Sequence, residues 1–397
     1  MPIIDSRLQT DLYKINMQQV VHSQFPNTQV RYEFKNRSVG VDLSRFVEEI
    51  EYEIHRYTEA IVTPSEQEYL YSIPYLKGEY VNALANLRLN PLNVKVSVDP
   101  KAVPEDRLSI VVEGNWFNTI EFEVPILAIV NELYFQEYSR NEIIRETGRT
   151  RLADKIKKLQ EPSHAPVHLI EFGTRRRFSK AWQEYIVNNL AKKLGDQDFG
   201  NSKLLGTSNV YLAMKYNLKP YGTMAHEFLQ ACQAFAPLHE FQKYALDCWM
   251  QEYRGDLGIA LSDVVGMKAF LKDFDKLFCK AYDGCRHDSG DPYEWGERLI
   301  AHYQKMGIDP TTKIAVFSDG LDIDKALHLA SHFQGRIKTS FGIGTSLTND
   351  LGVIPLSIVM KMTHCNGRPV AKLSDSPGKL MCKDAIYLNY LRSIYPE

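Results

Sequence analysis

Apolar residues recur along this chain with two periods, and the order in which the periods alternate changes partway through. Near the start, Leu8, Leu12 and Ile15 fall at helical spacing, widened by Val20 and Val21, and predict a helix over 6–24 that Pro26 closes. Val30, Tyr32 and Phe34 alternate with polar residues, as a half-buried strand does. Phe46, Val47, Ile50, Ile54 and Tyr57 return to helical spacing. Thr63-Pro64-Ser65-Glu66 reads as a capping box with proline at the first helical position. Two alternating runs follow, Val94, Val96 and Val98, then Ile110 and Val112, before Glu123-Val124-Pro125 opens an apolar helix to about Phe135. Helices and strands mix here without regular alternation, so residues 1–138 predict an α+β domain.

From residue 139 the order becomes regular. A charged helix over 141–160 precedes short apolar stretches that alternate with helical ones. The predicted strands are 167–172, around 204–205, around 220–224, 257–261, 281–284, 313–317, 336–341 and 354–360. About eight strand-then-helix units imply a parallel sheet closed into an irregular (β/α) barrel over 139–365. The tail, 366–397, is polar and turn-rich at first and predicts a return to the first domain. The fold class is therefore α/β, with a second α+β domain built from the N-terminal region and the tail.

Polar residues cluster where the predicted strands end. They are Glu171 to Arg177, Gly206-Thr207-Ser208, the stretch Tyr221 to Phe228, Ser262-Asp263, Arg286 to Gly290, Ser318-Asp319-Gly320 and Gly342-Ile343-Gly344-Thr345. The carboxyl ends of barrel strands converge on one mouth, where active sites lie. In Gly222-Thr223-Met224-Ala225-His226-Glu227 the histidine stands where the chain enters an apolar helical run, Phe228, Leu229, Cys232 and Phe235. A neutral imidazole there can attack a phosphoryl group or take up a proton; a structural histidine bonded to its neighbours is the alternative. Arg175, Arg176 and Arg177 form a basic cluster suited to an anionic ligand, against a solvated face as the alternative. Asp263 and Asp288 can bind sugar hydroxyls or a magnesium ion, or serve as caps and turns. The glycines let backbone amides approach a phosphate. No P-loop and no G-x-G-x-x-G after a strand is present. The inventory fits a phosphorylated sugar with metal, plus a histidine placed for phosphoryl transfer.

Composition narrows the classes further. The chain has 397 residues, 44% hydrophobic and 24% charged, with a net charge of −2, so neither nucleic acid nor an anionic membrane is expected as a partner. The longest apolar run, Val124 to Val130, is too short to span a bilayer, and no signal peptide is expected at the N-terminus. The six cysteines, none in a C-x-x-C pair, suit reduced thiols in a cytoplasmic protein.

Six motifs carry a resemblance. They are Thr10-Asp11-Leu12-Tyr13-Lys14, Glu171 through Arg177, Gly206-Thr207-Ser208-Asn209, Gly222 through Glu227, Arg286-His287-Asp288-Ser289-Gly290-Asp291-Pro292, and Ala371-Lys372-Leu373-Ser374-Asp375-Ser376-Pro377-Gly378-Lys379. Over essentially its full length the chain resembles the bacterial nicotinate phosphoribosyltransferases, which are type II phosphoribosyltransferases. The resemblance implies a homodimer with active sites shared between subunits. It implies transfer of phosphoribose from 5-phosphoribosyl 1-pyrophosphate to nicotinate, coupled to ATP hydrolysis through a phosphohistidine, with Mg²⁺ accompanying both phosphorylated substrates. This is the first step of NAD salvage from nicotinate.

By the same resemblance His226 is the phosphorylated residue, and Phe172 and a partner subunit's Tyr13 stack on the two faces of the ring. Arg175 holds anionic groups, and Asp263, Asp288 and Arg286 handle ribose and pyrophosphate. Ser318, Asp319, Gly320, Gly342 and Gly344 form the phosphate cradle, while Thr174, Arg177 and Thr345 complete the substrate-binding set. Ser208 stands where nicotinamide-using relatives carry aspartate, and an uncharged hydroxyl donor there favours a carboxylate on the ring. No metal ligand is expected from the protein itself. Nicotinamide phosphoribosyltransferase is the nearest alternative, followed by quinolinate phosphoribosyltransferase and a non-catalytic phosphosugar-binding protein.

Overall fold

The computed structural model describes residues 2–195, 202–373 and 381–396. The stretch Ser374 to Lys379, which closes the last motif, lies outside them. Thirteen strands are described: β1 (Gln29–Asn36), β2 (Val94–Val98), β3 (Leu108–Asn115), β4 (His168–Glu171), β5 (Lys203–Thr207), β6 (Lys219–Pro220), β7 (Arg254–Leu257), β8 (Ile259–Leu261), β9 (Gly284–His287), β10 (Ile314–Phe317), β11 (Lys338–Ile343), β12 (Ile358–Cys365) and β13 (Arg368–Pro369). All but β7 build an antiparallel five-stranded sheet, order β13-β12-β1-β3-β2, and a parallel seven-stranded sheet, order β6-β5-β4-β11-β10-β9-β8.

The α/β class, the strand-then-helix repeat and the separate α+β region are as the sequence predicts. Period-two burial in β1, where Val30, Tyr32, Phe34 and Asn36 point inward, follows its alternation. The Thr63 capping box forms, with Thr63 Oγ1 accepting from Glu66 N and Glu66 Oε2 accepting from Thr63 N.

Several expectations change. The first helix is Leu12–Gln24, not 6–24, because Asp11 bridges Asn209 and Leu12 N donates to Ser208 O, which ties the preceding residues to the end of β5. The stretch predicted at 281–284 splits into the end of a helix, Lys276–Ala281, and the start of β9. The run predicted at 354–360 forms β12, which pairs antiparallel with β1 and so leaves the parallel sheet. A hydrophobic run reports that a strand is buried, not which sheet buries it.

With seven strands, the parallel sheet curls without closing, and β6 and β8 are its edges. The stretch predicted as a strand over 220–224 is where the gap opens: β6 ends at Pro220, and Thr223 Oγ1 donates to Ile259 O on β8 across a distance of 3.0 Å. The segment that carries His226 thus fills the opening.

The tail is shared between regions. β13 extends the antiparallel sheet, and Lys383 Nζ reaches Glu33 Oε2 on β1 at 2.7 Å. The final helix, Ala385–Ile394, is tied instead to the chain after His226, through Tyr387 Oη to Gln233 Oε1 (2.7 Å) and, just beyond it, Tyr395 Oη to Leu238 O (2.6 Å). The cysteines are all free thiols, five of them buried. No helix of the described residues is long and apolar enough to cross a membrane.

Candidate active site

Parallel strands leave their carboxyl ends on one side, and the chemistry gathers there. Asp263 follows β8, Asp288 follows β9, and Ser318 follows β10. His226 opens the helix His226–Cys232 at the gap between β6 and β8. Two contacts hold this segment close: Gly222 O accepts from Asn16 Nδ2 at 2.9 Å, and Gly222 adopts φ +152° with its Cα facing Tyr13 N. A Cβ at Gly222 would lie 2.9 Å from that nitrogen, so only glycine seats the segment against the first helix.

His226 Nε2 lies 2.7 Å from Asp263 Oδ1 and 2.7 Å from Lys372 Nζ. Lys372 Nζ also donates to Asp263 Oδ2, which accepts a further bond from Ser289 Oγ at 2.5 Å. Asp288 Oδ2 stands 3.6 Å from the same imidazole nitrogen. Arg286 braces Asp288 from the other side, with Nη2 3.1 Å from Asp288 Oδ1 and Nε 2.9 Å from Ser318 Oγ. Burial, then the Lys372 ammonium, holds His226 below its ordinary value of 6.5 against the opposing pull of Asp263. Burial alone would raise Asp263, but His226 and Lys372 outweigh it and keep the carboxyl well below the usual range. Arg286, with His226 and Lys372, likewise outweighs burial at Asp288. Around neutral pH the site therefore holds an uncharged imidazole beside two carboxylates.

His226, Asp263 and Asp288 each present a donor atom within 4.8 Å of the others, a spacing a cation could bridge. The Lys372 ammonium stands among them and supplies the positive charge, so these residues fit a resident metal poorly.

A second group surrounds the end of β4. Glu171 accepts from Gly173 N (2.6 Å), Gln183 Nε2 (3.1 Å) and Thr207 Oγ1 (2.5 Å), and burial pushes its carboxyl up to about 7. This anchor sets the turn that presents Phe172. The Phe172 ring lies against Gly342, where a Cβ would come within 2.4 Å of it, and a Cβ on Gly344 would come within 2.8 Å of Phe172 O. Both glycines thus make room for the aromatic residue, a structural reason beside the expected phosphate cradle.

Arg175 extends toward the first helix. Its Nε lies 3.5 Å from Asp11 Oδ2, its Nη1 lies 3.5 Å from Glu123 Oε1, and its guanidinium carbon is 5.6 Å from the Tyr13 ring centre. Tyr13 therefore approaches Arg175 within one chain, because the Asp11–Asn209 bridge docks its helix there. Ser208 Oγ donates to Asp11 Oδ1 at 2.7 Å, so its hydroxyl proton is committed to a protein carboxylate.

Two expected ligand residues turn inward. Thr174 is fully buried, its hydroxyl accepting from Gln183 Nε2 at 3.0 Å and Asn209 Nδ2 at 3.3 Å. Arg177 is also buried, donating to Ile3 O at 3.1 Å and lying 3.5 Å from Glu132. Of three consecutive arginines only the first two remain partly exposed, and burial with the like charges of Arg175 and Arg37 pushes Arg176 down to about 10. Half-buried Asp319 and exposed Gly320 follow β10, and Thr345 begins the short helix Thr345–Thr348 after β11.

The site residues left without a role by sequence reasoning are Lys372, Asp11, Glu123 and Ser289. Lys372, Asp11 and Ser289 lie inside three of the six motifs, which was the available signal.

A histidine, acids and guanidinium groups gathered at the carboxyl ends of a curled parallel sheet define an enzyme of the α/β-barrel class. Residues 167–397 match the nicotinate phosphoribosyltransferase (NAPRTase) family, and residues 8–131 match that family's N-terminal domain. The chain is 52% identical over 395 residues to the nicotinate phosphoribosyltransferase of Burkholderia mallei, covering 99% of this chain and 97% of the relative. It is 50% identical over 396 residues to that of Acidovorax sp., covering 99% and 98%. A crystal structure of nicotinate phosphoribosyltransferase from Vibrio cholerae superposes with a TM-score of 0.92 at 39% identity, covering 99% of this chain and 94% of that one. The corresponding Porphyromonas gingivalis structure gives 0.89 at 31% identity, covering 98% and 99%. This chain belongs to the nicotinate phosphoribosyltransferase family, and the nicotinamide alternative is not favoured.

Proposed function

We propose that this enzyme joins nicotinate to 5-phosphoribosyl 1-pyrophosphate, forming nicotinate mononucleotide and pyrophosphate, with ATP hydrolysis coupled through a phosphate on His226. Family membership supports the transfer reaction. The observation that carries the phosphohistidine is the neutral imidazole at the strand-end mouth, beside Asp263, Asp288 and Lys372.

The chemistry asks little of a general base. The pyridine nitrogen carries no proton when it attacks the anomeric carbon, and the bond to pyrophosphate breaks as the new C–N bond forms. Positive charge develops on the ribose ring and negative charge on the leaving group. Arg286 and Arg175 are placed to meet the leaving group, and ionised Asp288 to hold the ribose. Mg²⁺ enters with the phosphorylated substrates as their counter-ion. Phe172, with Tyr13, positions the ring, and orientation of this kind accounts for a large share of such barriers. Ser318, Asp319, Gly320, Gly344 and Thr345 are the proposed 5-phosphate contacts. Arg175 reads the ring carboxylate, and Ser208 adds no charge beside it.

A homodimer in the cytoplasm belongs to the same proposal. Mixing Tyr13→Ala with Phe172→Ala subunits tests sharing of the sites: restored activity means that Tyr13 acts across the interface, and no recovery after proven exchange means that each chain completes its own site.

The reaction itself is tested by pyrophosphate release from phosphoribosyl pyrophosphate and Mg²⁺ with nicotinate or nicotinamide, each with and without ATP. Release with nicotinate, accelerated by ATP, is expected. Release with nicotinamide alone would overturn the substrate, and indifference to ATP would overturn the coupling.

A further inference from the structure

One lysine in this site makes two demands on the same atoms as a carboxylate does. Lys372 follows β13, is 4% exposed, and lies 146 positions from His226 in the chain. Its Nζ is 2.7 Å from His226 Nε2, donates to Asp263 Oδ2, and stands 3.9 Å from Asp288 Oδ2. Asp263 Oδ1 is 2.7 Å from the same Nε2.

An imidazole nitrogen either donates a proton or accepts one, not both. If Nε2 is protonated it satisfies Asp263 and confronts an ammonium with no lone pair to offer. If Nε2 is bare it accepts from Lys372 and confronts a carboxylate oxygen. Asp263 has another donor in Ser289 Oγ at 2.5 Å, and its other oxygen takes Lys372 as well. The ammonium has three protons and nearby acceptors for them in Nε2 and Asp263. The arrangement with a bare Nε2 leaves the fewer groups unmatched, and the lone pair then points at a lysine proton.

We infer that Lys372 is the positioning residue for phosphoryl transfer to His226: it keeps Nε2 unprotonated and masked, then shifts its N–H bond to the incoming phosphoryl group. This rests on the phosphohistidine reading above. In the step, the Nε2 lone pair forms the N–P bond as the bond from the terminal phosphorus to the bridging oxygen of the nucleoside triphosphate breaks. The bonding pair leaves with the diphosphate, and no proton moves to or from the ring. The ammonium that had capped Nε2 turns to a phosphoryl oxygen, where it offsets the repulsion between the phosphate and the carboxylates of Asp263 and Asp288. Without Lys372, no ammonium stands between the phosphate and the two carboxylates, and Nε2 donates to Asp263 as an N–H that cannot attack.

The test is the rate at which γ-labelled ATP labels the full-length enzyme, in the wild type, Lys372→Met and Lys372→Arg. Wild-type labelling with a loss of about 100-fold in Lys372→Met is expected, the size seen when one preorganised donor is removed. The ratio of ATP-stimulated to ATP-independent turnover should collapse toward one in that variant, and Lys372→Arg should recover part of both. A merely structural lysine would lower both turnovers together. To separate chemistry from folding, Lys372→Ala is labelled with added methylammonium or tetramethylammonium. Rescue by methylammonium alone, which has N–H groups to donate, is expected. Labelling of Lys372→Met at the wild-type rate, or equal effects of the two amines on Lys372→Ala, overturns the role of Lys372. An unlabelled wild type overturns the phosphohistidine reading itself, and this inference with it.

Discussion

Two neighbouring residues, His226 and Glu227, point into two charged clusters that look alike on paper. Each cluster sets a buried lysine between two carboxylates. In the interior, Lys14 Nζ pairs with Glu227 and lies 2.6 Å from Glu123, while Tyr32 Oη and Trp116 Nε1 donate to Glu227 at 2.8 and 2.9 Å. Every carboxylate oxygen of Glu227 has a donor there. Burial opposes the charge on Lys14, but Glu123 and Glu227 outweigh it and raise its proton affinity. In the cleft, Lys372 and Asp263 compete for one nitrogen of His226, and one of them must lose. A satisfied network fixes a structure, and a contested one can change partners when a ligand arrives. The helix start sends one residue to each kind.

The largest test of that contrast removes the contested group. His226→Ala should lose all ATP-dependent labelling and the ATP stimulation of turnover, leaving slow ATP-independent transfer; undiminished labelling would place the phosphate elsewhere. Glu227→Leu attacks the satisfied side. It strands Lys14 partly paired and leaves Tyr32 and Trp116 without their acceptor, a change that should cost about 3–5 kcal/mol of stability in denaturant unfolding. The protein that remains folded should still label, and a change below about 1 kcal/mol would mean the interior cluster is not the anchor described.

A smaller effect is expected at Gly342, which belongs to neither cluster and serves the aromatic residue. Gly342→Ala forces a Cβ to within 2.4 Å of the Phe172 ring, so the ring must shift. Overpacking of this kind costs about 1–3 kcal/mol, and KM for nicotinate should rise more than kcat falls. Unchanged nicotinate kinetics would remove Phe172 from the ring site.

The smallest effect is in pH. His226 is held below 6.5, so its ring stays neutral under mildly acidic conditions, and the half-point of the labelling rate should fall below pH 6.5. The same shift has a sign in stability. The unfolded chain takes up a proton at the histidine before the folded one does, so the His226 contribution is complete above 6.5 and is lost as pH falls through the folded value. Asp263 and Asp288 add loss in the same direction at lower pH, below the ordinary carboxylate value of 3.8. A labelling half-point above 6.5 would show that Asp263, not Lys372 and burial, controls the imidazole.

Local pattern was enough to read much of this molecule. Alternation in Val30, Tyr32 and Phe34, the capping box at Thr63 and the helix entry at His226 all reside within a few residues, where spacing and side-chain chemistry act directly. Polar clusters at strand ends were legible too, because parallel strands place all their carboxyl ends on one side whatever their order. Long-range pairing was not legible. Ile358–Cys365 is apolar enough for either sheet, and only its register against β1 puts it in the antiparallel one, leaving the parallel sheet open where His226 stands. Arg175, Arg176 and Arg177 read as one basic patch, yet the turn after β4 buries Arg177 against Ile3 and Glu132 and leaves the first two at the surface. Lys372 was visible as a letter in a motif, but its partner His226 is 146 residues away. Sequence by itself determined the elements, their class and the residue types available for chemistry, because those depend on neighbours along the chain. Which charges meet, and whether each meeting is satisfied or contested, depends on distances of a few ångströms between distant segments, and only the tertiary structure decided that.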